Sequence, residues 1–471
     1  MLMKIRAVLV ALLIVWGAAQ APAAALNEST LSFGRFGQVH LYRPGAHPSH
    51  VVLFVSGDGG WNLGVVDMAR ELAGLDALVV GIDIIHYLKA LNAQGEGCLY
   101  PAADFESLSK YVQKRLDYAD YIQPLLAGYS SGATLVYALL AQAPVNTFRG
   151  GISLGFCPDL PLARPPCKAG QLDWTRDAHK EIYYFLPVKR LENPWVALQG
   201  EIDQVCDPAK TRAFVSQVDG AELVMLPRVG HGFSVPANWL PQFKQHFARL
   251  TAGPKQAKKS QRLDLPVVEV PAGTPAKPEM AVLVTGDGGW AGIDREIAGA
   301  LAAQGVGVVA LDSLKYFWTA RTPDIAARDM ARLLEYYLDA WHKEKAALVG
   351  YSLGADVLPF MAARLPADLR RRVALVALLA PSRRTAFEFH LSDWLGGGQD
   401  PDPYPTGPEV NKLIEMPLLC FYGKQESDSL CRDPLPPKAD VIPMAGAHHL
   451  GGDYAAIAGR ILRALENPLK E

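Results

Sequence analysis

Ala346-Ala-Leu-Val-Gly350-Tyr-Ser352-Leu-Gly354-Ala355 is the stretch that decides the fold. An apolar run ends in Gly-x-Ser-x-Gly and leads directly into a second apolar stretch, Ala355 to Ala363. That is the pattern of a buried strand turning sharply into a helix about a serine. The glycines suit it, because a Cβ on either side of the serine would meet neighbouring backbone in so tight a turn. The serine oxygen then stands over the helix N-terminus, where free N–H groups favour a negative oxygen. The bare five-residue pattern is common in ordinary turns; its flanks make Ser352 the candidate nucleophile.

A serine hydroxyl attacks well only when an imidazole takes its proton and a carboxylate holds that imidazole. In this kind of fold the partners follow in the order Ser, Asp, His. Pro417-Leu-Leu-Cys-Phe-Tyr422 reads as a buried strand, and the polar loop after it offers Glu426 and Asp428. The next strand-like run, Asp440-Val-Ile-Pro-Met444, leads to Gly446-Ala-His448-His449. Upstream, Gly286-Asp287-Gly288-Gly289-Trp290 follows another apolar run. Its glycines let backbone approach the substrate, so Gly288 and Gly289, with the N–H of Leu353, are the expected oxyanion donors. The rival reading is a phosphate loop, but Gly-x-Gly-x-x-Gly and the lysine-bearing P-loop pattern are absent, and Asp287 would repel phosphate. No cofactor is expected. Asp287 is open to two readings, attraction for a cationic substrate group or a hydrogen bond within the loop; with Trp290 it is a candidate substrate contact.

The chain is written twice. Val51-Val-Leu-Phe-Val-Ser-Gly-Asp-Gly-Gly-Trp61 matches the segment ending at Trp290, and Leu125-Leu-Ala-Gly-Tyr-Ser130-Ser-Gly-Ala133 matches the segment around Ser352. Gly200-Glu-Ile-Asp203-Gln-Val-Cys206 corresponds to Gly423 through Asp428-Ser-Leu-Cys431, and His231-Gly-Phe to His448-His-Leu. Four matches in one order mean duplication. They select Asp428 over Glu426, because Asp203 holds the same Asp-x-x-Cys position, and His448 over His449. They also make Ser130, Asp203 and His231 a candidate second site. The units differ after one strand: Asp312-Ser-Leu-Lys-Tyr-Phe-Trp318 stands where the first unit has Asp83-Ile-Ile-His-Tyr-Leu-Lys89, so the first pocket's wall has been rewritten.

In both units short apolar runs alternate with amphipathic stretches, which predicts α/β architecture: two tandem α/β-hydrolase-like domains, mostly parallel sheets flanked by helices. The 471 residues exceed one ordinary domain. Lys4 and Arg6 precede an apolar run from Ala7 to Trp16 and small residues around Ala21, Ala23 and Ala25, so residues 1–25 read as a cleaved signal peptide and the periplasm as the destination. The domains are then expected at 26–250 and 263–471, joined by a Lys-, Gln- and Ser-rich linker at 251–262. In an oxidising compartment the six cysteines are disulfide candidates, Cys157 with Cys167 being the nearest pair; no Cys/His metal spacing is present. A net charge of -2 provides no field to gather nucleic acid. Ser382 to Lys412, with Phe387, Glu388, Phe389, Asp393 and Trp394, reads as an insertion, either a lid over the site or a plain surface helix.

The chain resembles the bacterial virulence protein family typified by VirJ and AcvB, in the tandem, AcvB-like layout. The residues that carry the likeness are Gly286-Asp-Gly-Gly-Trp290, Asp312-Ser-Leu-Lys-Tyr-Phe-Trp318 with Arg321-Thr-Pro323, Gly350-Tyr-Ser-Leu-Gly-Ala-Asp356 and His448-His449. The resemblance implies a periplasmic serine hydrolase that, in AcvB-like members, removes lysine from lysyl-phosphatidylglycerol. It also implies a link to virulence and to type IV secretion components. An aminoacylated phospholipid is therefore the expected partner. The alternatives are a carboxylesterase or thioesterase of another substrate, or a non-catalytic periplasmic scaffold.

Overall fold

Apolar, β-branched runs assemble into two separate large sheets in the computed structural model, which describes residues 26–93, 97–177, 179, 181–252, 263–389 and 403–466. The expected signal peptide lies outside the described residues. The first unit contributes β1 (Asn27–Phe33), β2 (Gly37–Arg43), β3 (His50–Val55), β4 (Ala77–Ile82), β5 (Leu125–Tyr129), β6 (Gly150–Leu154), β7 (Asp159–Pro161), β8 (Trp174–Asp177), β9 (Ile182–Phe185), β10 (Arg190–Gly200) and β11 (Asp219–Leu226). Eight of these form a sheet in the order 1-2-4-3-5-6-10-11, parallel from β4 to β11. β7, β9 and β8 form a small antiparallel sheet inserted after β6.

The second unit contributes β12 (Val267–Val270), β13 (Glu279–Val284), β14 (Gly307–Leu311), β15 (Lys345–Tyr351), β16 (Val373–Leu379), β17 (Arg384–Thr385), β18 (Tyr404–Pro405), β19 (Leu418–Gly423) and β20 (Ala439–Met444). Its main sheet runs 12-14-13-15-16-19-20, so the last six strands repeat the order of their counterparts in the first unit. The single antiparallel β12 replaces the β1–β2 hairpin. Helices cover both faces of each sheet, which is why strands such as Val51–Val55 and Met280–Val284 are buried along their whole length and read as unbroken apolar runs. The architecture is the tandem α/β pattern expected from the sequence.

Three local expectations differ. The helix Leu240–Ala252 carries through Thr251, which is buried, so chain expected as linker at 251–252 is helical; 253–262 lie outside the described residues. Phe387 packs in the second unit's core, and Phe389 stacks on Trp318, so these two aromatics of the expected lid are interior; Asp393 and Trp394 lie outside the described residues. The disulfides are Cys98–Cys167, Cys157–Cys206 and Cys420–Cys431, not Cys157–Cys167. Cys157 leaves the end of β6 and Cys206 the end of the neighbouring parallel strand β10, so sheet adjacency outranks nearness in sequence.

The units meet through Tyr121 of the first and Leu314, Trp318 and Phe389 of the second. Trp318 Nε1 donates to the Tyr118 carbonyl at 2.7 Å, and the Lys114 ammonium lies 4.9 Å from the Trp318 ring while bonding its carbonyl oxygen. The family-like Asp312–Trp318 segment thus serves this contact as well as the sheet edge. Among the described residues no helix is long and apolar enough to cross a membrane.

Candidate active site

Ser352 sits between β15 and the helix Leu353–Ala363 with φ 52° and ψ -122°, a conformation that costs a non-glycine residue energy. Its neighbours hold it there. A Cβ on Gly350 would lie 2.5 Å from the Gly354 carbonyl oxygen, and one on Gly354 would lie 2.0 Å from that of Val284. The Ser352 N–H is fixed to the Leu379 carbonyl at 2.9 Å, so the hydroxyl is presented at the carboxyl edge of the sheet.

His448 reaches Ser352 from the loop after β20. Its Nε2 lies 2.8 Å from Ser352 Oγ and its Nδ1 lies 2.7 Å from Glu426 Oε1. With the carboxylate accepting the Nδ1 proton, Nε2 is left to accept the serine proton. Glu426 Oε2 accepts the Gly423 N–H at 2.8 Å, and the Glu426 N–H returns to the Gly423 carbonyl at 2.9 Å. The carboxylate is therefore Glu426 and not Asp428, which is exposed and whose charge acts on Arg383. The reason is register. Counted from the strand end, Gly200-Glu-Ile-Asp203 matches Gly423-Lys-Gln-Glu426, and the second loop is two residues longer before its cysteine. Counting back from the cysteine selects the wrong acid; the extra methylene of glutamate spans the gap. His449 stands outside the line, its Nδ1 3.2 Å from the Tyr351 hydroxyl.

The oxyanion side is built in part as expected. Leu353 is the first helical residue, so its N–H has no acceptor within the helix. The Gly289 N–H, however, donates to the Gly286 carbonyl at 3.0 Å and closes a turn with Gly289 at φ 74°, so it is spent on loop shape. Gly286 is the residue that abuts the nucleophile: a Cβ there would lie 3.6 Å from Ser352 Cβ. Gly288 is exposed with open space about it and remains the loop's candidate donor. Trp290 packs partly buried against the core, and its carbonyl accepts the Asn146 side chain of the first unit at 3.0 Å, so it braces the loop.

Carboxylates crowd this site. Burial pushes the Tyr351 hydroxyl above its ordinary range, and Asp294, Tyr454, Asp287 and Glu426 add to that in turn. Asp294, nearly inaccessible beneath the Gly286 turn, is itself pushed well up by burial against the pull of nearby backbone N–H groups, with Asp312 adding to the rise.

The first unit brings its three expected residues together. Ser130 has φ 56° and ψ -122°; His231 Nε2 lies 2.9 Å from Ser130 Oγ, and Nδ1 lies 2.9 Å from Asp203 Oδ2. Asp203 is buried and also accepts the Val205 and Cys206 N–H groups at 2.8 and 2.9 Å and Gln199 Nε2 at 3.0 Å. Asp203, Cys206 and His231 lie close enough to suit a cation, but the Cys206 sulfur is bonded to Cys157 and offers no thiolate.

Residues 278–469 match the family model described as "Bacterial virulence protein (VirJ)". No curated protein matches the chain. Similar solved structures include the esterase domain of a Rhodothermus marinus protein (13% identity, 48% of this chain and 98% of that one, TM-score 0.33). Another is an α/β serine hydrolase without a lid from Xanthomonas campestris (20% identity, 48% and 94%, TM-score 0.31). A third is Est1E from Butyrivibrio proteoclasticus (13% identity, 48% and 99%, TM-score 0.32).

Proposed function

Taking the C-terminal unit as VirJ-like, we propose that it is a periplasmic serine hydrolase cleaving the aminoacyl ester of a phospholipid such as lysyl-phosphatidylglycerol. The observation that carries the reading is the unbroken line Ser352, His448, Glu426, with contacts of 2.8 and 2.7 Å. His448 Nε2 takes the proton as Ser352 Oγ attacks the ester carbonyl. Glu426 stays ionised and stabilises the imidazolium. The Leu353 N–H, with that of Gly288, receives the developing oxyanion. As the ester C–O bond breaks, His448 returns the proton to the departing glycerol hydroxyl, and water then releases the amino acid from Ser352 by the same steps in reverse roles.

The choice of a cationic acyl group is supported by Asp287 and Glu426, whose charges act on the Tyr351 hydroxyl beside the serine and favour an ammonium over an anion. Export, the lipid headgroup and a role beside type IV secretion components rest on the N-terminal pattern and the family resemblance. Lysine release from vesicles containing lysyl-phosphatidylglycerol tests the reading. A Ser352→Ala variant should lose on the order of 10⁴-fold in rate. Undiminished release by that variant would overturn it, and ester or thioester turnover without lysine release would favour the plainer carboxylesterase or thioesterase.

A further inference from the structure

We propose that Ser130, His231 and Asp203 form a second, separate active site, specific for carboxylic esters of an apolar acyl group. The first support is geometric. The two serines share their backbone conformation to within a few degrees, φ 56° against 52° at the same ψ of -122°. The hydrogen-bond line through His231 runs at 2.9 Å on both sides, against 2.8 and 2.7 Å through His448, and a Cβ on Gly57 would lie 2.9 Å from Ser130 Cβ, so the loop that carries oxyanion donors closes on this serine too. A strained serine with an oriented imidazole is costly to keep for packing alone.

The substrate class comes from the rim. Among the described residues seven large hydrophobic side chains are exposed, and five belong to the first unit: Leu63, Ile85, Ile202, Val205 and Val235. All five lie on segments leaving the carboxyl ends of parallel strands, the edge at which Ser130 stands. Leu63 and Ile85 follow β3 and β4, Ile202 and Val205 follow β10, and Val235 lies four residues past His231. Leu63 is 83% exposed and Val205 68%, and Leu63 is held at φ 39°. Single exposed hydrophobics are ordinary; five on one edge are a recognition surface.

The second unit shows that the fold does not require them. At the positions matching Leu63, Ile85, Ile202 and Val235 it has Gly292, the buried Leu314, Gln425 and Gly452, and the acid loop carries exposed Asp428 near the position of Val205. Beneath the oxyanion loop Val65 stands where the second unit has Asp294. Both mouths keep the loop aspartate, Asp58 and Asp287, and they differ in the exposed hydrophobics that only the first unit carries at these positions. In the reaction Ser130 Oγ bonds to the acyl carbon and the ester C–O bond breaks. His231 carries the serine proton to the departing alcohol, and water completes the release of the acid.

The full chain and its Ser352→Ala and Ser130→Ala variants, each checked for an unchanged melting temperature, are compared on p-nitrophenyl decanoate and acetate. Ser352→Ala should keep decanoate turnover, with a kcat/KM at least roughly tenfold above acetate, and should label at Ser130 with an alkyl fluorophosphonate. Ser130→Ala should lose about 10³-fold or more on decanoate. A joint Leu63→Ser and Val205→Ser change should cut the decanoate-to-acetate ratio about tenfold. Decanoate turnover that survives Ser130→Ala, or a Ser130-dependent activity that prefers acetate, overturns the proposal. Neither result bears on lysine release by Ser352, so the two sites fail or stand separately.

Discussion

The two units place a serine, a histidine and a carboxylate on the same strand order, yet anchor the carboxylate by different means. Asp203 is wholly buried and takes three hydrogen bonds besides that of His231, two of them from the backbone of a loop pinned by Cys157–Cys206. Glu426 stands on a loop two residues longer, and its Oε2 accepts the Gly423 N–H, with His448 itself far more exposed than His231. Both acid loops end on a disulfide-bonded cysteine; the shorter acid sits on the shorter loop and the longer acid on the longer one. What is constant is the distance to the imidazole, because proton transfer demands it. What varies is everything that surrounds the mouth.

The comparison breaks first at the acid. Glu426→Gln should lower Ser352-dependent kcat on the order of 10³-fold, since the amide favours the wrong imidazole tautomer, while Asp428→Asn should change it by less than about threefold. Equal losses in steady-state kinetics would return Asp428 to the site. Next comes the cross-link. Replacing Cys157 and Cys206 with serine should cost about 2–4 kcal/mol in chemical denaturation and lower Ser130-dependent turnover in the folded fraction. It should leave the Ser352 reaction in place, because Cys206 and not Cys431 presents an N–H to the acid.

The smallest effect concerns the buried carboxyl that the first unit replaces with Val65. Burial raises the Asp294 pKa in the folded chain, so its contribution to stability is present below the ordinary aspartate value and is lost as pH rises toward the raised one. Asp294→Asn should therefore flatten the fall of melting temperature with rising pH, gaining on the natural protein where the aspartate would be charged. Parallel melting curves for the two at every pH would show that the aspartate does not titrate in this range.

Much of this was legible in the chain. Unbroken apolar strands, the doubled Gly-x-Ser-x-Gly and the order of later matches were enough for two α/β units, for Ser352 and Ser130, and for His448 over His449. The acid of the second unit was not legible from its cysteine, because a loop insertion moves residues without moving the strand end from which reach is measured. Phe389 and Trp318 illustrate a second limit: aromatic residues in an irregular segment look alike whether they line a mouth or join two units. Disulfide pairing failed for the same reason, since Cys157 lies ten positions from Cys167 but on the strand end beside that of Cys206.

The sequence by itself determined the sheet pattern and the two serine turns, for these depend on periodicity and on glycines whose neighbours in the chain set the clash. Only the tertiary structure decided which carboxylate meets His448, whether Gly289 gives its N–H to a substrate or to Gly286, and that five hydrophobics far apart in the chain are exposed on segments leaving the strand ends. Those outcomes depend on loops meeting at a sheet edge, where Coulomb attraction and hydrogen bonding act over a few ångströms of space and take no account of distance along the chain.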